Sequence, residues 1–166
     1  MNGKSDINRV VDKYADVIYK ILYRKLKNKE DCEDLIQELF IKYVKHIKEG
    51  NEFDTEEKEK CWLIRIALNL CFNKCKYNKI RKTMPLEENI CYNEDLSCDN
   101  KVKIAANKLE KKYKDVFELF YIDDLKVSEI SKILEINEPN VRTRLKRARE
   151  KVREIILKGE RINGWV

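Results

Sequence analysis

Glycine and proline are scarce in this chain, with 4 and 2 residues among 166. Sheet-rich folds need those residue types at their turns, so their scarcity argues for helices joined by short links. Histidine is scarcer still: His46 stands alone, which speaks against imidazole-based acid–base catalysis and paired histidine metal ligands. Six cysteines are present (Cys32, Cys61, Cys71, Cys75, Cys91 and Cys98), but no two form a CxxC pair, so the spacing of a structural zinc site is missing. Cys71 and Cys75 are one helical turn apart. All six are read as reduced cysteines acting as small, half-buried apolar residues. No apolar run approaches the length of a membrane span, and the opening Met1-Asn2-Gly3-Lys4-Ser5-Asp6 leads into a polar helix without a signal-peptide core. The expectation is a cytoplasmic protein with no metal, no cofactor and no catalytic residues.

Charge is abundant. Asp, Glu, Lys and Arg make up 40% of the chain, and the net charge is +6. That surplus is compatible with a polyanionic partner but common among soluble proteins, so its distribution matters more than its sum. Apolar residues recur at steps of three and four from Ile7 to Lys27 (Val10, Val11, Tyr14, Val17, Ile18, Ile21, Leu22, Leu26), the spacing of an amphipathic helix. A second helix is predicted from Cys32 to Lys48, with Asp31 as its N-cap and Gly50 at its end. A third, from Lys58 to Tyr77, is apolar nearly all round in its middle and should be the most buried of the three. Between Thr83 and Asn100 periodicity disappears, Pro85 breaks any continuing helix, and Glu87, Glu88, Glu94, Asp95 and Asp99 occur without a Lys or Arg. This reads as an acidic, flexible interdomain linker. Helical periodicity returns from Lys101 to Tyr121, then from Val127 to Leu134 and from Pro139 to Leu157, with Pro139 in a first turn where its missing N–H is tolerated. The predicted fold is all-α: two small helical domains, 1–82 and 101–166, joined by a linker over 83–100.

The stretch from Val127 to Leu145 has the pattern of a helix-turn-helix. Ile130, Ile133 and Leu134 seat the first helix, small Ser131 permits close approach, and Ile136 plugs the turn. Val141, Leu145, Ala148 and Val152 form the inner stripe of the second helix. At about 100° per residue, the opposite side presents Thr143, Lys146 and Arg147, flanked by Asn140, Arg142 and Arg144. Arg and Lys suit guanine edges and phosphates, and Asn and Thr suit other polar edges, so this face fits a major-groove reader; the alternative is a solvated basic helix. The turn position that favours glycine holds Glu135, which demands either an unremarkable φ or some accepted strain.

The first half carries two further anomalies. On the second helix, Leu35, Ile36, Leu39, Phe40, Tyr43 and Ile47 make a core stripe, leaving Asp34, Gln37, Glu38, Ile41 and Lys45 outside. An outward Ile among carboxylates resembles a protein-binding patch, against the simpler reading of a solvated face. On the third helix, Arg65, Asn69, Asn73 and Lys76 form a polar stripe on a greasy rod, with Phe72 beside them. The run then ends in Lys74, Lys76, Lys79, Arg81 and Lys82 without an acid. Cations hold a phosphate backbone, while an amide and an aromatic can hold an unstacked base.

Taken together, Asp31-Cys32-Glu33-Asp34-Leu35-Ile36-Gln37-Glu38-Leu39-Phe40, Trp62-Leu63-Ile64-Arg65-Ile66-Ala67-Leu68-Asn69 and Val141-Arg142-Thr143-Arg144-Leu145-Lys146-Arg147-Ala148-Arg149 resemble the extracytoplasmic-function sigma factors of the sigma-70 family, over nearly the whole chain. The resemblance implies a promoter-binding subunit of bacterial RNA polymerase, with region 2 in the first domain and region 4 in the second. Asp34, Gln37 and Glu38, with Ile41 beside them, match positions that grip the clamp helices of the polymerase's largest subunit. Asn69, with the loop from Asn51 to Lys60, matches the part that captures a flipped base of the −10 element, and Trp62, Arg65, Asn73 and Lys76 share its helix. Arg142, Thr143 and Lys146 match readers of the −35 element. The acidic linker matches one that threads toward the active-site cleft and RNA exit path. The family often adds an anti-sigma factor, which the sequence does not identify. A helix-turn-helix regulator acting alone would use the second domain but gives no reason for the faces of the first. An RNA-processing enzyme would need catalytic residues that are not found.

Overall fold

The computed structural model describes residues 3–81 and 98–162; of the linker expected over 83–100, residues 83–97 lie outside the described residues, and 98–100 are instead the first residues of a helix. The described residues form helices and connections, with no strand. The helices are α1 (Gly3–Leu26), α2 (Lys29–Lys48), α3 (Glu56–Arg81), α4 (Cys98–Asn107), α5 (Lys111–Tyr121), α6 (Val127–Leu134) and α7 (Glu138–Ile162). They fall into two compact units, α1–α3 and α4–α7. No helix among the described residues is long and apolar enough to cross a membrane.

In the first unit every helix packs on the other two. Val10, Tyr14, Ile18 and Leu22 of α1 meet Cys32, Leu35, Leu39 and Tyr43 of α2 and Leu63, Ala67 and Cys71 of α3. The steps of three and four keep each set on one face, and Ala67 lets the backbones approach closely. Ile47, expected in the α2 stripe, is 36% exposed, because the stripe drifts off the core by the last turn. The N-cap of α2 is Asn28 and not Asp31: Asn28 is extended and its Oδ1 accepts from the Asp31 N–H at 3.0 Å. The Asp31 carboxylate instead pairs with Lys74 of α3 at 2.9 Å. At the other end Gly50 takes φ +86°, while its N–H and that of Asn51 donate to the carbonyls of Ile47 and His46. This is a Schellman termination, the geometry that makes glycine the natural stop.

A buried carboxylate ties the unit together. Glu59 is 5% exposed; the Tyr43 hydroxyl donates to its Oε1 at 2.7 Å, and the Arg9 guanidinium reaches both oxygens at 3.2 Å. Lys13 adds a 2.7 Å pair with Glu56 beside it.

In the second unit Ala105, Ala106 and Leu109 pack on Tyr113 and Phe117 and on Ala148 and Val152 of α7. The single helix expected over 101–121 is two. Glu110 is extended at ψ 144°, and the Lys108 and Leu109 N–H groups make tightened bonds to Ala105 and Ala106. No Gly or Pro marks that break, and buried Leu109 continues the apolar stripe through it. The helix-turn-helix has the expected limits for α6. Its turn is closed by Ser131, whose hydroxyl donates to the Ile136 carbonyl at 2.6 Å while the Ile136 N–H donates back to the Ser131 carbonyl. Glu135 is left-handed, φ +55°, a conformation that costs a non-glycine residue about 1 kcal/mol; the two Ser131–Ile136 bonds hold it there. Asn137 caps α7, accepting from the Asn140 N–H at 2.9 Å, so Pro139 sits in the first turn as expected.

Removing either partner of the Glu59 network should therefore be costly. Tyr43→Phe should destabilise the first unit by about 1–2 kcal/mol and Glu59→Ala by about 2–3 kcal/mol, because each leaves a buried polar group short of a partner. Glu38→Ala, on the exposed side of α2, should stay within about 0.5 kcal/mol. Urea denaturation followed by circular dichroism measures all three, and equal midpoints for the Glu59 and Glu38 variants would refute the network's importance.

Candidate functional site

Three polar faces project from the two cores. The first lies on α2, where Asp34, Gln37, Glu38 and Ile41 are all exposed, opposite Leu35, Leu39 and Tyr43. Ile41 is 69% exposed, and Glu38 pairs with Lys42 at 3.5 Å along the same helix. Nothing there converges for chemistry; a large aliphatic group ringed by an amide and carboxylates is suited to docking.

The second face lies on α3. Across residues 61–70 every residue is buried or half-buried except Asn69, which is exposed. Trp62 and Arg65 are half-buried on the same side, and Asn73 and Lys76 are exposed beyond it. All five fall within one broad helical face, as expected. The structure adds apolar groups that the sequence reading left out: Ile80 is 74% exposed and Tyr77, with Arg81 over its ring at 5.2 Å, is 52% exposed. Phe72 is also exposed. A further addition is an aromatic cluster at the base of this face, formed by Tyr43, His46, Phe53 and Trp62. Its only sequence signal was the recurrence of Tyr43 and His46 at a step of three on α2.

The third face lies on α7. Asn140, Arg142, Thr143, Lys146 and Arg147 are exposed and Arg144 is half-buried. Several of these side chains already have partners: Arg142 pairs with Glu138 at 2.9 Å, Arg144 donates to Asn140 Oδ1 at 3.0 Å, and the Thr143 hydroxyl donates to the Pro139 carbonyl at 2.9 Å. Arg147 is turned partly toward α5. Its hydrogen bond to the Tyr113 hydroxyl, with Lys112 also near, holds that phenol below the ordinary tyrosine value. Behind this helix runs an apolar groove of about 690 Å³, lined by Val102, Ala106, Phe117, Tyr121, Ile122 and Leu157 among others.

Cys32, Cys61 and Cys71 are buried, Cys75 is half-buried, and none of these four is in a disulfide. Burial, with Cys75 close by, pushes the Cys71 thiol up to about 12. Among the described residues no group of His, Cys, Asp and Glu could hold a metal ion. The Cys91 and Cys98 side chains lie outside the described residues.

Comparison with known proteins adds to this geometry. Residues 10–80 match sigma-70 region 2 and residues 103–152 match sigma-70 region 4. The chain is 34% identical to the ECF RNA polymerase sigma factor SigW of Bacillus subtilis over 165 residues, covering 87% of this chain and 86% of that protein. It is 27% identical to SigM of the same organism over 161 residues, covering 92% and 96%. Two of the solved structures that share its fold illustrate the likeness. One is CnrH in complex with the cytosolic domain of CnrY (TM-score 0.64, 16% identity, 93% of this chain and 90% of that one). The other is the sigma factor RpoE in complex with the anti-sigma factor NepR from Bartonella quintana (TM-score 0.65, 16% identity, 91% and 96%).

The cysteine geometry has a direct consequence for reactivity. A buried thiol whose pKa is pushed up holds far less of the reactive thiolate at about pH 8 than an exposed one. Cys71 should therefore resist alkylation in the native protein and react at once in urea, as mass mapping of iodoacetamide adducts would measure. Rapid native labelling of Cys71 would contradict its burial.

Proposed function

The chain belongs to the extracytoplasmic-function RNA polymerase sigma factors of the sigma-70 family, and from that membership we propose how its exposed faces divide the work of starting transcription. As a sigma factor it binds core RNA polymerase and directs promoter-specific initiation. It acts in the cytoplasm and contributes recognition and strand opening, while the bond-forming chemistry belongs to the polymerase. Residues 1–82 act as region 2 and 101–166 as region 4, with 83–100 as the acidic linker between them.

Asp34, Gln37, Glu38 and Ile41 dock on the clamp helices. Their exposure, with a bare aliphatic group at the centre, supports a contact made by apolar burial and oriented by charge. Asn140, Arg142, Thr143, Arg144, Lys146 and Arg147 address the −35 element in the major groove. In the free protein Glu138 occupies Arg142, an exposed pair worth at most about 1 kcal/mol and easily exchanged for a guanine edge. Trp62, Arg65, Asn69, Asn73 and Lys76 form the −10 surface, on which cations follow the backbone and the amide meets an unpaired base. The observation that best supports this reading is Asn69: an amide standing alone in the open on the most apolar stretch of α3 has no structural duty there.

An anti-sigma factor is the expected regulator. The solved relative RpoE is held by one, and the groove behind α7, in which apolar residues are flanked by Lys103, Arg149 and Arg153, supports a protein-binding surface in the second unit.

Two experiments test these assignments. Asp34→Ala with Glu38→Ala should lower affinity for core polymerase at least about tenfold while costing the fold less than about 0.5 kcal/mol. Surface plasmon resonance against core enzyme measures it, and unchanged binding would remove the clamp assignment.

The two DNA surfaces should fail separately. Arg142→Ala or Lys146→Ala should weaken binding to the −35 duplex by about 1–3 kcal/mol. Asn69→Ala should leave that binding intact and depress open-complex formation, read by permanganate reactivity and run-off transcription. Normal opening and unchanged −10 base preference in Asn69→Ala would sink the capture role.

A further inference from the structure

The connection between α2 and α3 is polar and outward except at one point. Asn51, Glu52, Asp54 and Thr55 are exposed, whereas Phe53 among them is half-buried. Its ring lies parallel to that of Tyr43, with centroids 6.2 Å apart and 5° between planes, and meets His46 at 5.4 Å and Trp62 at 5.7 Å. His46 stacks on Trp62 at 4.6 Å and 23°, while Tyr43 meets Trp62 nearly edge-on at 6.2 Å and 63°. The floor of this cluster is rigid, since Tyr43 is 3% exposed and bonded to buried Glu59. The two ends of the loop are also held, by the Gly50 termination on one side and on the other by Thr55, whose hydroxyl oxygen accepts from the Lys58 N–H at 3.3 Å. The Asn51 side chain also donates to the His46 carbonyl and Asp54 pairs with Lys58, so Phe53 is the apolar attachment among polar ones, in the middle of the loop.

We propose that Phe53, His46 and Trp62 are positioning residues for the capture of an unpaired promoter base. The stack pins the loop so that Asn51, Glu52, Asp54 and Thr55 are displayed in a set arrangement on the Asn69 side of α3. Asn69 lies two helical turns, about 10 Å, beyond Trp62 on the same face. The inference rests on the −10 surface proposed above and assigns Trp62 a different task from touching DNA, because its ring is already engaged by His46, Phe53 and Tyr43. A loop ordered in advance loses less conformational freedom on binding. Pinning therefore contributes to discrimination among bases, whereas general affinity for single strands comes from Arg65 and Lys76.

The test uses the full chain assembled with core polymerase and single-stranded oligonucleotides carrying the −10 element of a promoter that this holoenzyme transcribes. The readout is the ratio of affinities for the cognate strand and for strands substituted at each position. Phe53→Ala should lower the best ratio about tenfold, with core association and −35 duplex binding unchanged and with faster hydrogen exchange of the amides over 51–55. Phe53→Tyr and His46→Phe, which keep the stack, should retain the ratio, and His46→Ala should lose part of it. If Phe53→Ala does not fold, Phe53→Leu keeps the volume without the ring and should show the same loss. The proposal is overturned if Phe53→Ala keeps the ratio, if it weakens every oligonucleotide by one factor, or if His46→Phe loses as much as His46→Ala. A wild-type holoenzyme that discriminates at no position of the −10 strand would instead overturn the underlying assignment of the surface, before any variant is made.

Discussion

The organisation of the first unit depends on one carboxylate. Glu59 begins the buried course of α3 and is satisfied by Tyr43 of α2 and Arg9 of α1, so the packing of these three helices has to bring all three groups together. Isolated, a buried charge is costly, and Glu59 has nothing apolar to offer in exchange. Apolar packing would tolerate some rotation or sliding of the helices, whereas the hydrogen bonds would not. That constraint fixes which side of α2 faces away from the core, and with it the exposure of Ile41, Asp34 and Glu38. It also fixes Tyr43, on which Phe53 rests.

The second unit reaches a similar rigidity by backbone means. Its last helix, α7, is oriented by a turn only three residues long, in which Glu135 adopts a left-handed conformation and Ser131 holds Ile136 through two hydrogen bonds. The Ile130 and Ile133 stripe of α6 and the Val141 and Leu145 stripe of α7 are buried together, and the cations of α7 have no choice but to point outward. Arg142 pairs with Glu138 and Arg144 with Asn140, each one turn back along the same helix.

Much of this was legible in the sequence. The helices of α1, α2, α6 and α7 follow from apolar steps of three and four, since a rotation of about 100° per residue makes such a stripe a face whatever lies opposite it, while α3 follows from an apolar run too long for a strand. The exposed positions of Asp34, Gln37, Glu38, Ile41, Asn69, Arg142 and Lys146 follow from the same arithmetic. The break between α4 and α5 was not legible, because Leu109 keeps the apolar register while the backbone at Glu110 leaves it. The N-cap of α2 was misassigned to Asp31, because Asn28 and Asp31 are both good caps and only the path of the chain chooses between them.

Composition and periodicity by themselves determined that this chain is all-helical, that it has two separate apolar cores, and which residues of each helix face away from them. Those are local properties of a regular backbone, written within a few turns of chain. Tertiary structure alone decided that Glu59 is buried and not solvated, that Arg147 leans on Tyr113, and that Phe53 is held among Tyr43, His46 and Trp62. Each of these depends on which helices meet. The Tyr43–Glu59 and Arg9–Glu59 contacts span 16 and 50 residues, distances over which no periodicity in one helix specifies a partner in another.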